Sequence, residues 1–153
     1  MGREQVWRTA QSGGYQRLHR CGGHSSTVTQ LDWAADSSVL MSNDQSYEVL
    51  YWDAHKGVKV VHSQHDQRWQ SWTCTLGFPV MGIWTEGGDG TDVNAVCRSH
   101  DGGYLVTADD HSCVRLFNCP SVVEAAPHRV YRGHCSHVAC VRVSVDDRMV
   151  RAR

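Results

Sequence analysis

The chain has 153 residues, with 15 basic and 16 acidic side chains and a formal net charge of −1. The length fits one modest domain, and a balanced charge without a basic run predicts no nucleic-acid partner and no anionic membrane surface. No apolar run approaches the ~20 residues of a membrane span and no signal peptide is recognisable, so we expect a cytoplasmic protein.

The first predicted element is a hairpin. Residues 5–9 and 15–20 have the composition of short β-strands, and Gly13-Gly14 supplies the turn between them. No further strand precedes this pair. We therefore interpret residues 1–22 as the end of a larger sheet.

The next stretch, residues 24–53, contains three short apolar runs separated by polar turn residues. This pattern predicts three antiparallel strands, and residues 58–62 are predicted as a fourth. The stretch opens with Gly23-His24 and closes with Trp52-Asp53. A Gly-His start and a Trp-Asp end about one blade length apart are typical of a WD repeat, the four-stranded blade of a β-propeller.

The same spacing recurs twice, starting from Val93 and from Val138. Aligned on Val28, Val93 and Val138, the three registers match at many offsets: Leu31, Val96 and Val141; Asp36, Asp101 and Asp146; Leu40, Leu105 and Val150; Ser42 and Thr107; Asp44 and Asp109; Trp52 and Phe117; His24, Asp89 and His134. This agreement predicts tandem blades. Three unrelated hairpins in another all-β fold are the alternative.

The sequence thus predicts an all-β fold, a partial WD40-type β-propeller of about two and a half four-stranded blades. Its parts are the end of a preceding blade (1–22), a WD blade (23–62), an aromatic-rich insert (63–92), a WD-like blade (93–132) and a truncated blade (133–153). Propellers typically have 4–8 blades. We therefore expect a fragment or short isoform that needs missing blades or other chains to close the ring.

Each WD blade is expected to contain a buried hydrogen-bond network of His, Ser or Thr, Asp and Trp, because buried polar groups must be paired. The expected members are His24, Ser42 and Trp52 in the first blade, Thr107 and Asp110 in the second, and His134 in the third. Gln45 occupies the Asp place of the first blade, with Asp44 beside it.

A hydrolase site and a zinc site are the chemical alternatives to this network. A hydrolase built on His24 or His134 with Ser42 is less favoured, because each member falls on a repeat offset and no G-x-S-x-G motif exists. A zinc site near His134 and His137 would need four converging ligands, and seven cysteines without a C-x-x-C pair suit free thiols in a reducing compartment. We therefore expect no catalytic residues, no metal and no cofactor.

The insert separates the first two repeats by 65 positions, against 45 for the next two (93 − 28 and 138 − 93). We predict extra strands or a packed excursion here, broken at Gly77 and Pro79. Its aromatic residues either cover the blade edge or form a contact surface for a protein partner. The candidate contacts are Trp72, Phe78, Trp84, Glu86 and Asp89.

Several stretches resemble the echinoderm microtubule-associated protein-like family: TCTLGF (73–78), GIW (82–84), EGGDGTDVNAVCRSH (86–100) and ADD (108–110) ahead of VRLF (114–117). The resemblance implies the end of the second of two fused propellers, a cytoplasmic and cytoskeletal location, and association with microtubules or tubulin. The predicted function is thus a non-enzymatic WD-repeat interaction module. A scaffold for signalling proteins without tubulin contact is the alternative.

Overall fold

A computed structural model describes residues 3–11, 13–84, 87–88 and 91–153 of the chain. Within these ranges the secondary structure is eleven β-strands and one short 3₁₀ helix. The chain divides into two compact units, Met1–Gln70 and Ser71–Arg153. None of the helices in the described ranges has the length and apolar character needed to cross a membrane.

The first unit begins with an antiparallel hairpin of β1 (Arg3–Thr9) and β2 (Tyr15–Gly22). The turn between them uses Gly13 and Gly14, whose φ angles of 78° and 122° disfavour residues with a Cβ. Along β1, buried Glu4 and Val6 alternate with exposed neighbours, as expected for a strand with one packed face.

A three-stranded antiparallel sheet follows, formed by β3 (Val28–Trp33), β4 (Val39–Asp44) and β5 (Val49–Asp53) in that order. All six residues of β4 are buried, because this strand lies in the middle of the sheet. The core of the unit joins the sheet to the hairpin through Val6, Cys21, Leu40, Leu50 and Trp52.

The fourth strand predicted at residues 58–62 is shorter than expected. It is reduced to an isolated bridge between Lys59 and Trp52, with two backbone hydrogen bonds to Asp53 and Tyr51 beside it. Val58 and Val61 are largely exposed, so little apolar burial holds a longer pairing together.

The second unit contains a four-stranded antiparallel sheet in sequence order: β6 (Val93–Arg98), β7 (Tyr104–Asp109), β8 (Cys113–Asn118) and β9 (His128–Arg132). A two-stranded sheet follows, β10 (Val141–Val143) paired with β11 (Val150–Ala152). The core of the second unit joins these two sheets through Cys97, Val106, Ala108, Val138 and Val141.

Of the two alternatives for the insert, extra strands or a packed excursion, its described residues correspond to the second, since their only β-pairing is an isolated bridge between Trp69 and Ala34. Phe78–Ile83 forms a 3₁₀ helix instead, with a proline in its first turn and Gly77 at its N-cap with φ 129°. Pro79 has no backbone N–H to donate to a β-ladder. The segment therefore turns and packs Val80 and Ile83 inward instead of extending a sheet.

The all-β, partial-propeller prediction is confirmed by sheets of antiparallel strands joined in sequence order. The repeat offsets also correspond to the same strand positions. Leu40 is paired with Trp52 across β4 and β5, and Leu105 is paired with Phe117 across β7 and β8. The period seen in the sequence is therefore a period of strand register.

Candidate functional site

Three residues of the first blade meet in a buried hydrogen-bond chain. The indole N–H of Trp52 donates to Ser42 Oγ at 2.9 Å, and Ser42 Oγ lies 2.8 Å from Nε2 of His24. All three side chains are buried. Ser42 Oγ therefore contacts both rings, and this chain of side chains links the loop before β3 to β4 and β5.

The carboxylate of Asp44 closes the other side of His24, with Oδ2 at 3.3 Å from the ring Nδ1. It also accepts backbone N–H groups from Ser26, Ser46 and Glu48 at 2.9–3.0 Å. Burial alone raises the pKa of Asp44, but these hydrogen bonds and the nearby His24 outweigh it and hold the pKa below its ordinary value. Asp44 is therefore the network's carboxylate, and Gln45 beside it is exposed.

A second carboxylate approaches His24 from the β1–β2 hairpin. Glu4 Oε1 lies 3.2 Å from His24 Nε2, and the Glu4 side chain is almost fully buried. Neither Glu4 oxygen has a hydrogen-bond partner in the described ranges. Burial, and then the charge of Glu4, raise the pKa of the Cys21 thiol, so this thiol is protonated and behaves as a small apolar core group.

His24, Asp44 and Glu48 have ligand atoms close enough together to be considered as a metal site. The two carboxylate oxygens already accept hydrogen bonds from the blade. Glu48 Oε2 accepts the Ser25 backbone N–H and hydroxyl, and Asp44 Oδ2 accepts the Ser26 N–H. His24 Nδ1 faces them at 4.0 and 3.3 Å. The cluster is therefore accounted for by the blade network.

In the second blade the network carboxylate is Asp109, and the assignment to Asp110 is wrong. Asp109 is buried and accepts the backbone N–H groups of His111 and Cys113 together with Nε of Arg115 at 2.8 Å. Asp110 is only half-buried; it binds the Asn94 side chain and lies 3.1 Å from His137. Asp44 and Asp109 share a repeat offset, and that signal identifies Asp109 in the sequence.

Thr107 occupies the repeat position of Ser42, but its hydroxyl does not make the hydrogen bonds that the Ser42 hydroxyl makes. It is fully buried, and its Oγ1 has no hydrogen-bond partner within the described part of the chain. Phe117 replaces the indole that donates in the first blade and has no N–H to offer. Arg115, which the sequence analysis did not select, donates from Nε to Asp109 at 2.8 Å, in the place where the His24 ring contacts Asp44 in the first blade.

The structure does not place His134 in a buried network. Its side chain is exposed near the start of the β9–β10 connection, two residues after Arg132. In the first blade, burial of His24 depends on the third strand, which carries Trp52. The sheet of β10 and β11 has no strand at that place.

The insert is anchored by a buried tryptophan. Trp72 is buried, and its N–H donates to the carbonyl of Cys74 at 2.7 Å. A Cβ on Gly77 would lie 2.7 Å from the Trp72 ring. The expectation that Trp72 contacts a partner is therefore wrong, because only 2% of this residue is exposed.

Of the other candidate contacts, Phe78 is 51% exposed and Trp84 is half-buried. Glu86 and Asp89 lie outside the described residues. Phe78 is accordingly the candidate with the most accessible aromatic surface.

Phe78 belongs to an exposed apolar patch that we call the insert patch: Phe78, Met81, Val122 and Val123. Three backbone hydrogen bonds join its two segments, from Gly82 to Ser121, from Ser121 to Pro79 and from Ala126 to Gly82. Exposed apolar groups on such a braced surface are typical of protein-contact sites.

Comparison with known proteins agrees with this architecture. Residues 4–152 match the family model described as the echinoderm microtubule-associated protein second beta-propeller. A chain of the crystal structure of a mitotic checkpoint complex superposes with a TM-score of 0.62 at 15% identity, covering 90% of this chain and 49% of that one. At that identity the likeness concerns the fold alone.

Three relatives illustrate the sequence similarity. Echinoderm microtubule-associated protein-like 3 of Mus musculus is 47% identical to this chain over 134 residues. Echinoderm microtubule-associated protein-like 1 of Homo sapiens is 48% identical over 135 residues, and echinoderm microtubule-associated protein-like 2 of Rattus norvegicus is 50% identical over 136 residues. These alignments cover 86–88% of this chain but only 15–21% of the relatives. The chain therefore corresponds to a small part of their length.

Proposed function

The chain belongs to the echinoderm microtubule-associated protein family as part of its second β-propeller, and on that premise we propose that it is a non-enzymatic module that binds other proteins, with polymerised tubulin as its first partner. The family resemblance drawn from the insert motif is thereby confirmed. A site of action at the cytoskeleton in the cytoplasm is part of the proposal.

The insert patch is the observation that supports this proposal. Phe78 and Met81 are each more than half exposed, whereas Val80 and Ile83 on the same 3₁₀ helix are buried. The buried residues fix the helix, so the exposed ones are presented with little conformational entropy to lose on binding. Aromatic groups of this kind contribute most of the energy of protein interfaces.

The polar network supports a structural role better than catalysis. Ser42 is fully buried, and its hydroxyl accepts from Trp52 while facing His24. A nucleophilic serine needs access to its substrate and a base that is free to take its proton. The hydrolase alternative therefore has no accessible Ser42 to act as its nucleophile.

Co-sedimentation of the 153-residue chain with stabilised microtubules tests the proposal. We expect saturable pelleting that changes little between low and physiological salt, because the insert patch is apolar and acidic tubulin tails contribute little to such a contact. Replacing Phe78 and Met81 by serine should weaken pelleting by about tenfold or more, as expected for interface anchors.

Tyr15→Ser is the matched control, since Tyr15 is an exposed aromatic residue on the β1–β2 hairpin, outside the insert patch. It should pellet like the unchanged chain, and both variants should keep the far-ultraviolet circular dichroism of a β-protein. A chain that stays in the supernatant at every tubulin concentration would contradict the tubulin proposal and favour the scaffold alternative.

A further inference from the structure

His128 is the first residue of β9, and both nitrogens of its ring have hydrogen-bond partners. Nδ1 lies 2.8 Å from the backbone carbonyl oxygen of Ala126, and Nε2 lies 3.2 Å from Nη1 of Arg115 on β8. A carbonyl oxygen can only accept a hydrogen bond, and a guanidinium can only donate one. The ring is therefore the neutral tautomer that donates from Nδ1 to Ala126 and accepts at Nε2 from Arg115.

The surroundings of the ring hold it in this orientation. Arg115 is fixed from its other side, since its Nε donates to the Asp109 carboxylate at 2.8 Å and its side chain is only 16% exposed. The buried Phe117 ring packs against the His128 ring with the two centroids 4.8 Å apart. In the described part of the chain, Arg115 is the one charged group that contacts the ring, and Asp109 lies behind it.

Ala126 connects this ring to the insert patch. Its carbonyl oxygen accepts from His128, and its N–H donates to the carbonyl of Gly82 in the 3₁₀ helix at 3.3 Å. Ala126 is buried, and it follows Val122 and Val123 on the same loop. The part of the patch that this loop carries is thus held by the insert on one side and by His128 on the other.

We propose that His128 is a positioning residue for the insert patch, and that its ring makes partner binding at the patch sensitive to pH. The inference rests on the proposed function, in which the patch is the contact surface. Proton uptake at Nε2 turns an acceptor into a second donor that faces the Arg115 guanidinium. Like charges then move the ring away from Arg115 and take the Nδ1 donor away from Ala126.

The direction of the effect follows from the groups around the ring. Histidine is the side chain that ordinarily changes its charge between about pH 5 and 8, and arginine stays charged throughout that range. His128 is exposed, so protons reach its ring from solvent. Acid should therefore loosen the loop that carries Val122 and Val123, and apolar groups that must be ordered on binding contribute less affinity.

The tautomer of the ring is the first test. Long-range proton–nitrogen correlation spectra of the full chain should place the ring proton on Nδ1 at about pH 7.5, and the unprotonated nitrogen should disappear as pH falls to about 5.5. Hydrogen exchange, corrected for the intrinsic effect of pH, should show about two- to tenfold less protection of the Ala126 amide over that range. A proton on Nε2 at the higher pH, or protection that stays constant while the ring titrates, overturns the proposal.

Two substitutions separate the two contacts of the ring. His128→Asn places an amide nitrogen near the position of Nδ1, so it can donate to Ala126 but does not titrate. His128→Gln places its amide near the position of Nε2, so it can accept from Arg115 but does not donate to Ala126. We expect the asparagine variant to keep the protection of Ala126 at both pH values and the glutamine variant to lose it at both. Equal protection in the two variants overturns the role given to Nδ1.

His55→Asn is the matched control, because His55 is an exposed histidine of the first unit. It should keep the pH dependence of the unchanged chain at Ala126. Loss of that dependence in the control would assign the response to another group and overturn the proposal.

Co-sedimentation with stabilised microtubules at the same two pH values connects positioning with binding. The unchanged chain and His55→Asn should bind about two- to tenfold more weakly in acid, and His128→Asn should bind equally at both pH values. A pH effect on binding that persists in His128→Asn overturns the regulatory role. A chain that pellets at neither pH contradicts the tubulin proposal alone, because the tautomer and the amide exchange are measured without tubulin and decide the positioning role by themselves.

Discussion

The Trp52 indole nitrogen and the Ser42 hydroxyl oxygen lie 2.9 Å apart inside the first three-stranded sheet. The equivalent pair in the second unit is Phe117 and Thr107, and there the hydroxyl has no partner within the described residues. Two blades with the same strand register therefore differ in whether this buried hydroxyl is hydrogen-bonded. Such a bond adds a modest net free energy when formed, but a partner left alone costs more.

Ser42→Ala should destabilise the first unit by about 1–3 kcal/mol, because it leaves the Trp52 N–H and His24 Nε2 buried without the hydroxyl between them. Urea denaturation followed by tryptophan fluorescence measures the change. Ser46→Ala is the control, since Ser46 is exposed in the turn after the same strand and should change stability by less than about 0.5 kcal/mol. Equal effects of the two changes would contradict the network's importance.

Thr107→Val should have the opposite sign. Valine keeps the shape of the side chain and removes a buried oxygen that has no hydrogen-bond partner in the described ranges, so the free energy of unfolding should rise by about 1 kcal/mol. Differential scanning calorimetry should show a higher melting temperature. A lower one would mean that the hydroxyl is paired in solution.

The sequence was sufficient to predict the blades because strand register and repeat offset are the same quantity here. Leu40, Trp52, Leu105 and Phe117 occupy equal offsets and pair in equal ways. The network carboxylate was assigned one residue late in the second blade, at Asp110. β7 ends at Asp109, so a shift of one residue moves the assignment from the buried end of the strand to a half-buried residue of the turn that follows.

The insert could not be predicted in the same way, because it has no repeat partner. Its aromatic composition is compatible with strands, but Pro79 interrupts any ladder. Trp72 is buried, and Gly77 lies so close to its ring that a Cβ there would be 2.7 Å from it. No repeat offset indicates this contact.

The stability of the first unit should decrease in acid through Asp44. Its pKa in the folded chain lies below the ordinary 3.8, since hydrogen bonds to its carboxylate outweigh burial. The unfolded chain therefore binds the proton first as pH falls, so the stabilisation is complete above about pH 4 and is lost as pH falls through the folded pKa. The acid-unfolding midpoint of the unchanged chain, followed by circular dichroism, should shift in Asp44→Asn.

The asparagine variant should be less stable at neutral pH, because an amide has one acceptor oxygen where the Asp44 carboxylate uses two. Its stability should also vary less with pH below about 4. Asp66→Asn is the control, since the Asp66 carboxylate is fully exposed. It should keep the pH profile of the unchanged chain. A profile for Asp44→Asn that parallels the unchanged chain would show that other carboxylates cause the acid response.

Gly82→Ala should separate the two segments that carry the insert patch. A Cβ at Gly82 would collide with the backbone carbonyl oxygen of Val123 and lie 3.0 Å from Ser121 Oγ, and backbone cannot move aside as a flexible side chain can. The Gly82 and Ser121 amides donate the 2.7 and 2.8 Å hydrogen bonds between the segments, so both should lose hydrogen-exchange protection. Overpacking of this kind costs about 1–3 kcal/mol.

Gly22→Ala provides the comparison for this change, because a Cβ at Gly22 meets no atom within 4 Å and should leave exchange and stability almost unchanged. If the insert patch is the contact surface for microtubules, Gly82→Ala should also weaken co-sedimentation, although Phe78 and Met81 are both still present. Retained protection at Gly82 and Ser121 would show that the loop of residues 119–126 shifts to admit the methyl group. Lost protection with unchanged co-sedimentation would separate the fold of the insert from binding.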